Sequence, residues 1–310
     1  AALFSHTVHT HCFQGRHWSA TFFTRAHKYS GFIMNRNARR LAAEELLASF
    51  KSGVFHGVPI KESLAASKAG TVRYTPENCP EVQKGVYETR VHIEHTTTTE
   101  SARKWTTGVG LDGASPASVG VLNFASAKNP GGGFLKGSSA QEESLARSST
   151  LYAAVVGHRM YNENRAAIPT HKSIYLDQIL YSPSVMFLRD EDGRALSTEE
   201  TWSAGVVTAP APNRGAATKH YKEPELSEKV RAALTTRARL SLSAFAAHGH
   251  NIIILGKWGT GVFKCQEEEV AEVFNSLLRE EFKGVFEHVV YAVMGNAEKP
   301  GKFERCIETS

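Results

Sequence analysis

The sequence predicts an α/β fold with a largely parallel sheet that is covered by helices on both faces. Short runs rich in β-branched residues alternate with segments of helical length along most of the chain. Hydrophobic residues make up 41% and charged residues 22% of the 310 residues, which is an ordinary composition for a globular protein. Two of the strand-like runs lead into glycine-rich loops, as strands often do at the ligand-binding edge of open α/β sheets.

The first predicted element is an amphipathic helix near the N-terminus. Residues 35–50 (NRNARRLAAEELLASF) place leucines and a phenylalanine on one stripe, and Asn35 or Asn37 is a suitable N-cap. A shorter helix is predicted near residues 61–68. The turn-rich residues 74–80 (YTPENCP) then end this N-terminal segment.

Strand and helix signals alternate through the rest of the chain. Strand-like runs occupy residues 86–95, 119–125, 179–189, 205–209, 252–255 and 288–294. Helices are predicted over roughly residues 100–105, 140–157, 223–248 and 266–282. Because helix-length connections separate many of the strands, the sheet is predicted to be largely parallel.

The basic charge of the chain is concentrated in its first residues. The net charge is +5, but residues 1–43 contain six Lys and Arg and no Asp or Glu. Subtracting these six from the 36 Lys and Arg of the chain leaves 30 basic against 31 acidic residues over 44–310. The charge of this larger part therefore does not predict a nucleic-acid groove.

Three segments are predicted from these patterns. Residues 1–30 form a basic leader, residues 31–83 a helical accessory segment and residues 84–310 the main domain. The leader is basic and acid-free, as mitochondrial transit segments are, although a disordered tail fits its composition equally well. We expect an intracellular protein that is nuclear or cytoplasmic. The basic leader makes a mitochondrial location the alternative.

Cysteines, histidines and apolar runs predict neither a metal nor a membrane. The four cysteines are widely spaced and form no CxxC pair, which disfavours a disulfide framework and a structural zinc site. In the leader, His6, His9 and His11 follow no structural period, which favours solvated side chains over metal ligands. No apolar run approaches the roughly 20 residues that a transmembrane helix needs.

Two glycine-rich loops follow predicted strands and suit a phosphate-containing ligand. Residues 129–134 (NPGGGF) follow strand 119–125, and residues 256–263 (GKWGTGVF) follow strand 252–255. Glycines let backbone N–H groups turn toward an anion, and two such loops at one edge suit a diphosphate. Either loop alone is more often simple turn chemistry. Neither matches the P-loop or the dinucleotide fingerprint, which disfavours an NTPase and a dehydrogenase.

Two glutamates begin the helix that follows the first glycine loop. Residues 139–142 (SAQE) have the spacing of a capping box, and acids in a first helical turn offset the helix dipole. On this interpretation Glu142 and Glu143 are only helix caps. The alternative is chemical, because the glycine loop places a carboxylate next to a phosphate-binding turn.

These residues resemble the signature of poly(ADP-ribose) glycohydrolases. Gly131-Gly132-Gly133, seven residues and Gln141-Glu142-Glu143 match the pattern GGG-x(6–8)-QEE, and the surrounding sequence resembles the microbial branch of the family. The similarity covers most of residues 35–300 and includes NARRLAAEELLASF, TVRYTPENCP, ILYSPSVMFLRDEDG, VVTAPAPN and LGKWGTGVF. It implies a macrodomain-like three-layer α/β/α fold with an N-terminal helical accessory segment. One departure is Thr260, where the family pattern has cysteine.

The resemblance implies a hydrolytic mechanism that uses one glutamate. Glu143 would be the general acid and base, and Glu142 would bind ribose hydroxyls and orient the substrate. Consecutive helix residues point about 100° apart, so the two carboxylates do not flank the bond as in common glycosidases. The other predicted substrate-binding residues are Asn123, Asn129, Gly131, Gly132, Gly133, Gln141, Gly259, Thr260, Gly261, Val262 and Phe263.

Several of these residues have a structural alternative that the sequence leaves open. Asn129 before Pro130 also fits plain turn chemistry, Phe263 either stacks on a ribose or packs in the core, and Trp258 is expected in the core. No cofactor and no metal are expected. The expected partners are poly(ADP-ribose) and ADP-ribosylated proteins, with ADP-ribose as product and no need for a membrane or direct nucleic-acid contact. A mono-ADP-ribosyl-protein hydrolase and a non-catalytic ADP-ribose-binding module remain the alternatives.

Overall fold

A computed structural model describes residues 34–108 and 118–309 of the chain. The predicted leader over residues 1–30, with its histidines and its targeting role, lies outside the described residues. Within them, no helix is both long enough and apolar enough to cross a membrane.

Helices and strands alternate along the chain. The helices are α1 (Arg36–Ser52), α2 (Lys61–Ala69), α3 (Thr98–Thr106), α4 (Gln141–Ser148), α5 (Leu151–Val155), α6 (Arg159–Ala166), α7 (Ile168–His171), α8 (Arg214–Ala217), α9 (Glu225–Ala247), α10 (Glu267–Arg279) and α11 (Lys302–Cys306). The strands are β1 (Val54–Phe55), β2 (Val58–Pro59), β3 (Val72–Tyr74), β4 (Arg90–Glu94), β5 (Val119–Ala125), β6 (Ile179–Phe187), β7 (Trp202–Pro210), β8 (Ile252–Leu255) and β9 (His288–Ala292). Short 3-10 turns occupy Pro76–Asn78, Phe134–Lys136 and Thr198–Glu200.

Seven strands form one mixed sheet. Their order is β3-β6-β7-β5-β8-β9-β4. The five strands from β7 to β4 run parallel, whereas β6 is antiparallel to both β7 and β3. The predicted α/β class with a mixed, largely parallel sheet is confirmed. Parallel strands bring their carboxyl ends to one edge, and this edge carries the site described below.

Two apolar clusters cover the two faces of the sheet. Side chains alternate along a strand, and in β8 Ile252 and Ile254 join one cluster, whereas Ile253 and Leu255 join the other. The first cluster contains residues of α3 to α6, and the second contains the apolar sides of α9 and α10. The sheet is therefore the middle of three layers, which explains why its strands read as continuous apolar runs.

The N-terminal segment packs against the sheet domain and adds a strand to it. Asn35 is the N-cap of α1, since its Oδ1 accepts a hydrogen bond from Ala38 N at 3.0 Å. Leu46 and Phe55 of this segment bury their side chains with Leu188, which follows β6. Strand β3, within the predicted accessory segment, pairs with β6. The division of the chain at residue 83 stays a prediction.

The helix predicted over residues 140–157 is wrong in one respect, because the structure divides it. Helix α4 ends at Ser148 and α5 begins at Leu151, and Ser149 between them is extended with φ −145° and ψ 176°. The end of β6 approaches here, where Leu188 N donates to Ser148 O at 2.7 Å and Thr150 N donates to Met186 O at 2.9 Å. These bonds to a distant strand, together with Ser and Thr hydroxyls that compete for backbone groups, replace the helical ones.

A buried histidine between β6 and the start of β5 should make the fold sensitive to acid. His250 is 7% exposed, its Nε2 is 2.9 Å from Tyr181 Oη, and its Nδ1 is 3.0 Å from Ser118 Oγ. Burial lowers the pKa of His250 to about 4. Below pH about 6.5 this histidine takes up a proton in the unfolded chain but not in the folded chain. The free energy of unfolding therefore falls by on the order of 3 kcal/mol by pH 4.

The test of this acid sensitivity is urea unfolding of the wild type and of His250→Gln between pH 7 and pH 4. The variant loses buried hydrogen bonds and is expected to be less stable at pH 7. The difference in unfolding free energy should shrink as the pH falls, because glutamine cannot take the proton. A difference that stays constant over this range would contradict the assignment.

Candidate active site

A cavity of about 1150 Å³ lies at the carboxyl-end edge of the parallel strands. Most of its lining residues lie in four segments at or just after the carboxyl ends of these strands, within residues 96–99, 124–144, 257–263 and 292–294. The volume exceeds the roughly 300–1000 Å³ that is common for drug-sized ligands. The cavity is thus large enough for a ligand of at least drug size.

Glu142 is a buried carboxyl group at the floor of this cavity. Its side chain is 4% exposed, and its Oε2 accepts a hydrogen bond from Ser126 N at 2.7 Å. Its Oε1 has no hydrogen-bond partner among the described residues. Burial raises the pKa of Glu142 to about 8, the charge of Glu143 adds to this rise, and the Ser126 N–H opposes it. At neutral pH Glu142 is therefore largely protonated.

Glu143 lies beside it and is held by the glycine loop. Its Oε1 accepts a hydrogen bond from Gly133 N at 2.8 Å. Its Oε2 is buried, and no residue within 34–108 or 118–309 bonds to it. Each glutamate therefore has one oxygen fixed by a backbone N–H and one buried oxygen without a hydrogen bond from the described residues.

These contacts contradict the capping interpretation of the two glutamates. The N-cap of α4 is Ala140, whose methyl group cannot accept a hydrogen bond, so Ser139 does not begin a capping box. The carboxylates instead accept hydrogen bonds from the backbone N–H groups of Ser126 and Gly133, which precede the first residue of the helix by 15 and 8 residues. The two side chains therefore stabilise the loop and do not cap the N-terminus of the helix.

Gly132 allows the loop to pass between the two carboxylates. Its φ is +58°, and a Cβ there would lie 2.4 Å from Glu143 Oε1 and 2.9 Å from Glu142 Oε2. No L side chain fits such distances, and the left-handed φ adds strain for residues other than glycine. The glycine is required so that the backbone can come this close to both acids.

Three predicted substrate-binding residues lie behind this wall or are occupied by protein contacts. Gln141 Oε1 accepts from Phe124 N at 2.9 Å, and its Nε2 donates to Leu122 O at 2.7 Å, so its amide ties α4 to β5. This favours a positioning role for Gln141. Asn123 and Gly131 are absent from the cavity lining among the described residues, and both oppose the rise in the pKa of Glu142.

The second glycine loop forms the opposite wall. A Cβ at Gly259 would lie 2.6 Å from Ala211 Cβ, so this glycine is needed for packing. At Gly261 a Cβ would meet no described atom within 4 Å, which leaves its backbone open to the cavity. Thr260 Oγ1 donates to Lys257 O at 3.0 Å, and Val262 is 79% exposed at the cavity mouth.

The two aromatic residues of this loop both line the cavity but differ in their burial. Trp258 is buried in the core, as predicted, and its Nε1 donates to Ala209 O at 2.8 Å. Phe263 is half-buried; it packs near Tyr175, with ring centroids 6.2 Å apart, and it also lines the cavity. Asn129, whose role the sequence left open, lines the cavity as well.

Sequence reasoning missed one wall of the cavity. Residues 96–99 are four threonines at the junction of β4 and α3, the last two in the first turn of the helix, and Glu191 from the turn after β6 lines the cavity beside them. Burial raises the pKa of Glu191, and hydrogen bonds from Thr97 and Thr99 oppose this rise. The run of threonines at a strand-to-helix junction was the available signal. Nowhere in the described ranges do three or more His, Cys, Asp or Glu side chains form a group able to hold a metal ion.

Comparison with known proteins establishes the family. Residues 43–190 match the family model described as microbial-type PARG, catalytic domain. The crystal structure of poly(ADP-ribose) glycohydrolase from Thermomonospora curvata is 37% identical to this chain, with a TM-score of 0.73, over 86% of this chain and 97% of that chain. The chain belongs to the microbial-type poly(ADP-ribose) glycohydrolase family.

Solved structures of this family contain ligands of the expected chemistry. A second Thermomonospora curvata glycohydrolase structure, bound to the inhibitor ADP-HPD, is 36% identical with a TM-score of 0.72, over 87% of this chain and 97% of that chain. The glycohydrolase from Deinococcus radiodurans in complex with ADP-ribose is 37% identical with a TM-score of 0.68, over 78% of this chain and 96% of that chain. No curated protein is a significant match.

The open backbone at Gly261 gives a direct test of the second loop in this family member. Gly261→Val should fold normally, because the added side chain meets open space and the backbone is outside the left-handed region. It should lower ADP-ribose affinity by about tenfold or more, since a hydrogen bond to a charged group contributes about 1.5–3 kcal/mol.

Calorimetry with ADP-ribose measures this effect, and Ala232→Val on an exposed position of α9 is the control for added bulk. The control should bind like the wild type. Unchanged affinity in a folded Gly261→Val protein would remove this loop from the ligand site.

Proposed function

We propose that this protein hydrolyses the ribose–ribose O-glycosidic bond of poly(ADP-ribose) and releases ADP-ribose, with Glu143 as general acid and base. The observation that carries the proposal is the pair of carboxyl groups at the glycine loop. Each keeps one oxygen unbonded by the described residues, inside a cavity large enough for an ADP-ribose unit. Family membership supports the same reaction.

The reaction needs one proton to move twice. Glu143 Oε2 is positioned to give its proton to the leaving 2′-oxygen while the C1″–O bond breaks, which leaves an oxocarbenium-like ribose. Water then attacks C1″, and its proton returns to the carboxylate of Glu143. The Gly133 N–H, at 2.8 Å from Oε1, stabilises the charged carboxylate between the two steps.

Glu142 supports this chemistry from below. Because it carries a proton at neutral pH, its carboxyl group offers a ribose hydroxyl a donor as well as an acceptor. A neutral Glu142 also places no second negative charge against Glu143. Ribose binding by Glu142 and proton transfer by Glu143 are thus separate tasks in one helix turn.

The diphosphate of the substrate is assigned to the second loop. The backbone at Gly261 is open toward the cavity, and Lys136 lines the cavity from the first loop. Backbone N–H groups and a lysine suit a doubly charged diphosphate. This placement brings the negative diphosphate to the same cavity in which positive charge develops at C1″, which favours bond cleavage.

Product analysis separates this function from its two alternatives. The protein should release ADP-ribose from poly(ADP-ribose) made on an automodified polymerase. A mono-ADP-ribosyl-protein hydrolase would act on singly modified protein and leave polymer intact, and a binding module with the same macrodomain-like architecture would retain both. Incubation with each substrate and chromatography of the released nucleotides decides among the three.

A further inference from the structure

Helix α1 contacts the outer side of the first glycine loop, which carries Gly131, Gly132 and Gly133. Residues 134–140 connect Gly133 to the start of α4, and Leu135 and Lys136 of this stretch line the cavity. On the side away from the cavity, Arg36 Nε donates to Lys136 O at 3.0 Å and Arg39 Nε donates to Gly137 O at 2.7 Å. Two arginines of α1 thus satisfy carbonyl groups of the cavity wall.

Apolar packing and close approach add to these hydrogen bonds. Phe134 is fully buried against Ala43 of α1 and Ala146 of α4. At Gly137, where φ is +73°, a Cβ would lie 2.1 Å from Arg36 O, so α1 and the loop touch through their backbones. Such an approach tolerates only glycine, and it fixes the loop relative to the helix.

The loop in turn holds the group that orients Glu143. Lys136 N and Ser138 N both donate to Gly133 O, at 2.9 Å and 3.2 Å. The N–H of the same glycine donates to Glu143 Oε1 at 2.8 Å. A continuous series of contacts therefore runs from α1 through backbone groups of the loop to the carboxylate.

We propose that Arg39, assisted by Arg36, is a positioning residue for Glu143, which it supports through the loop that precedes α4. The inference rests on the proposed function for the identity of the reaction. The guanidinium of Arg39 donates to the backbone carbonyls of Gly137 and Met34, so its action on Glu143 runs through Gly137 and Gly133. A displacement of about 1 Å in a reacting group can cost about 10²-fold in rate, so release of this wall should slow proton transfer more than ligand binding.

The test compares turnover of poly(ADP-ribose) with equilibrium ADP-ribose binding. Arg39→Ala should reduce kcat by about tenfold or more, while KM and the Kd for ADP-ribose stay within about threefold. Arg39→Lys keeps the positive charge near the loop but loses the planar Nε–H donor, so it should recover only part of the lost rate. In a Glu143→Gln background Arg39→Ala should have no further effect, because the group it positions is gone.

Arg40→Ala is the matched control. Arg40 is the next residue of the same helix, and its guanidinium pairs with Glu44 of α1 and with Asn37. The control should keep wild-type turnover.

The results that overturn the inference are distinct from failure of the proposed function. Normal kcat in Arg39→Ala would exclude the positioning role. Equal losses of turnover, ADP-ribose affinity and melting temperature in both the alanine and the lysine variant would assign Arg39 to folding alone and would also overturn it. Absence of polymer hydrolysis by the wild type would instead refute the proposed function.

Discussion

Replacing Glu143 with glutamine should reduce poly(ADP-ribose) turnover by about 10²- to 10⁴-fold, the usual worth of general acid–base assistance. Glutamine keeps the size of the side chain and can still accept the Gly133 N–H bond. It cannot donate a proton to the leaving oxygen and take one back from water. ADP-ribose affinity should therefore stay within a few-fold of the wild type.

Initial rates on polymer and calorimetry with ADP-ribose, measured on the same preparations, check this expectation. Glu142→Gln is the natural comparison, because it changes the neighbouring carboxyl in the same way. It should retain more activity, since an amide can still bond a ribose hydroxyl. Near-normal turnover of Glu143→Gln would refute the assignment of the catalytic acid, whatever the family match.

Glu142→Gln should raise the free energy of unfolding at neutral and alkaline pH, which is the second large effect. The pKa of Glu142 is about 8 when folded, against 4.5 for the free side chain. The unfolded chain therefore loses this proton at lower pH than the folded chain, and wild-type stability is lost as the pH rises from about 4.5 to 8. The loss in the free energy of unfolding is on the order of several kcal/mol by pH 8.

Glutamine carries no titrating proton, so the variant does not lose stability in this way as the pH rises. Its carbonyl oxygen can still accept the hydrogen bond from Ser126 N. Urea unfolding of both proteins at pH 5 and pH 8 should show a stabilisation that grows with pH. The capping interpretation predicts the opposite, a loss of stability at both values. A destabilised variant at pH 8 would show that burial does not hold Glu142 in its protonated form.

The raised pKa of Glu142 bears on stability and on the proposed reaction alike. On the proposed function, Glu142 lowers the stability of the fold at neutral pH while it serves ribose binding. Stability and activity commonly oppose each other at such sites. The raised pKa also explains how two adjacent acids can occupy one glycine loop, since a neutral Glu142 places no negative charge beside Glu143 in either protonation state of the catalytic cycle.

Local signals in the sequence were sufficient for several elements. Strands Val119–Ala125 and Ile252–Leu255 have the predicted bounds, because each is a short apolar run buried in the middle layer of the sheet. The Asn35 N-cap was one of two candidates and depends only on the residues beside it. In contrast, the predicted strand 86–95 is shorter in the structure, where β4 begins at Arg90 opposite His288. A strand can extend only as far as its partner.

Short elements that depend on distant partners escaped prediction. Val72–Tyr74 is a strand only because β6 lies beside it, and helices α6 and α7 have no clear apolar period of their own. The interruption of the predicted helix 140–157 at Ser149 likewise follows from bonds to residues near the end of β6. Periodicity reports which face of a segment is buried, but not which segment covers it.

The sequence by itself determined the α/β class, the two glycine loops and the spacing that places Glu142 and Glu143 after the first loop. Only the tertiary structure decided which atoms meet there: Ser126 and Gly133 fix one oxygen of each acid, Glu191 completes a wall with the threonines, and α1 supports the loop from outside. These contacts join residues that are 10 to 100 positions apart, and hydrogen bonds over such separations leave no periodic trace in the chain. They become visible only when the crossing of strands and helices brings the carboxyl ends of the sheet together.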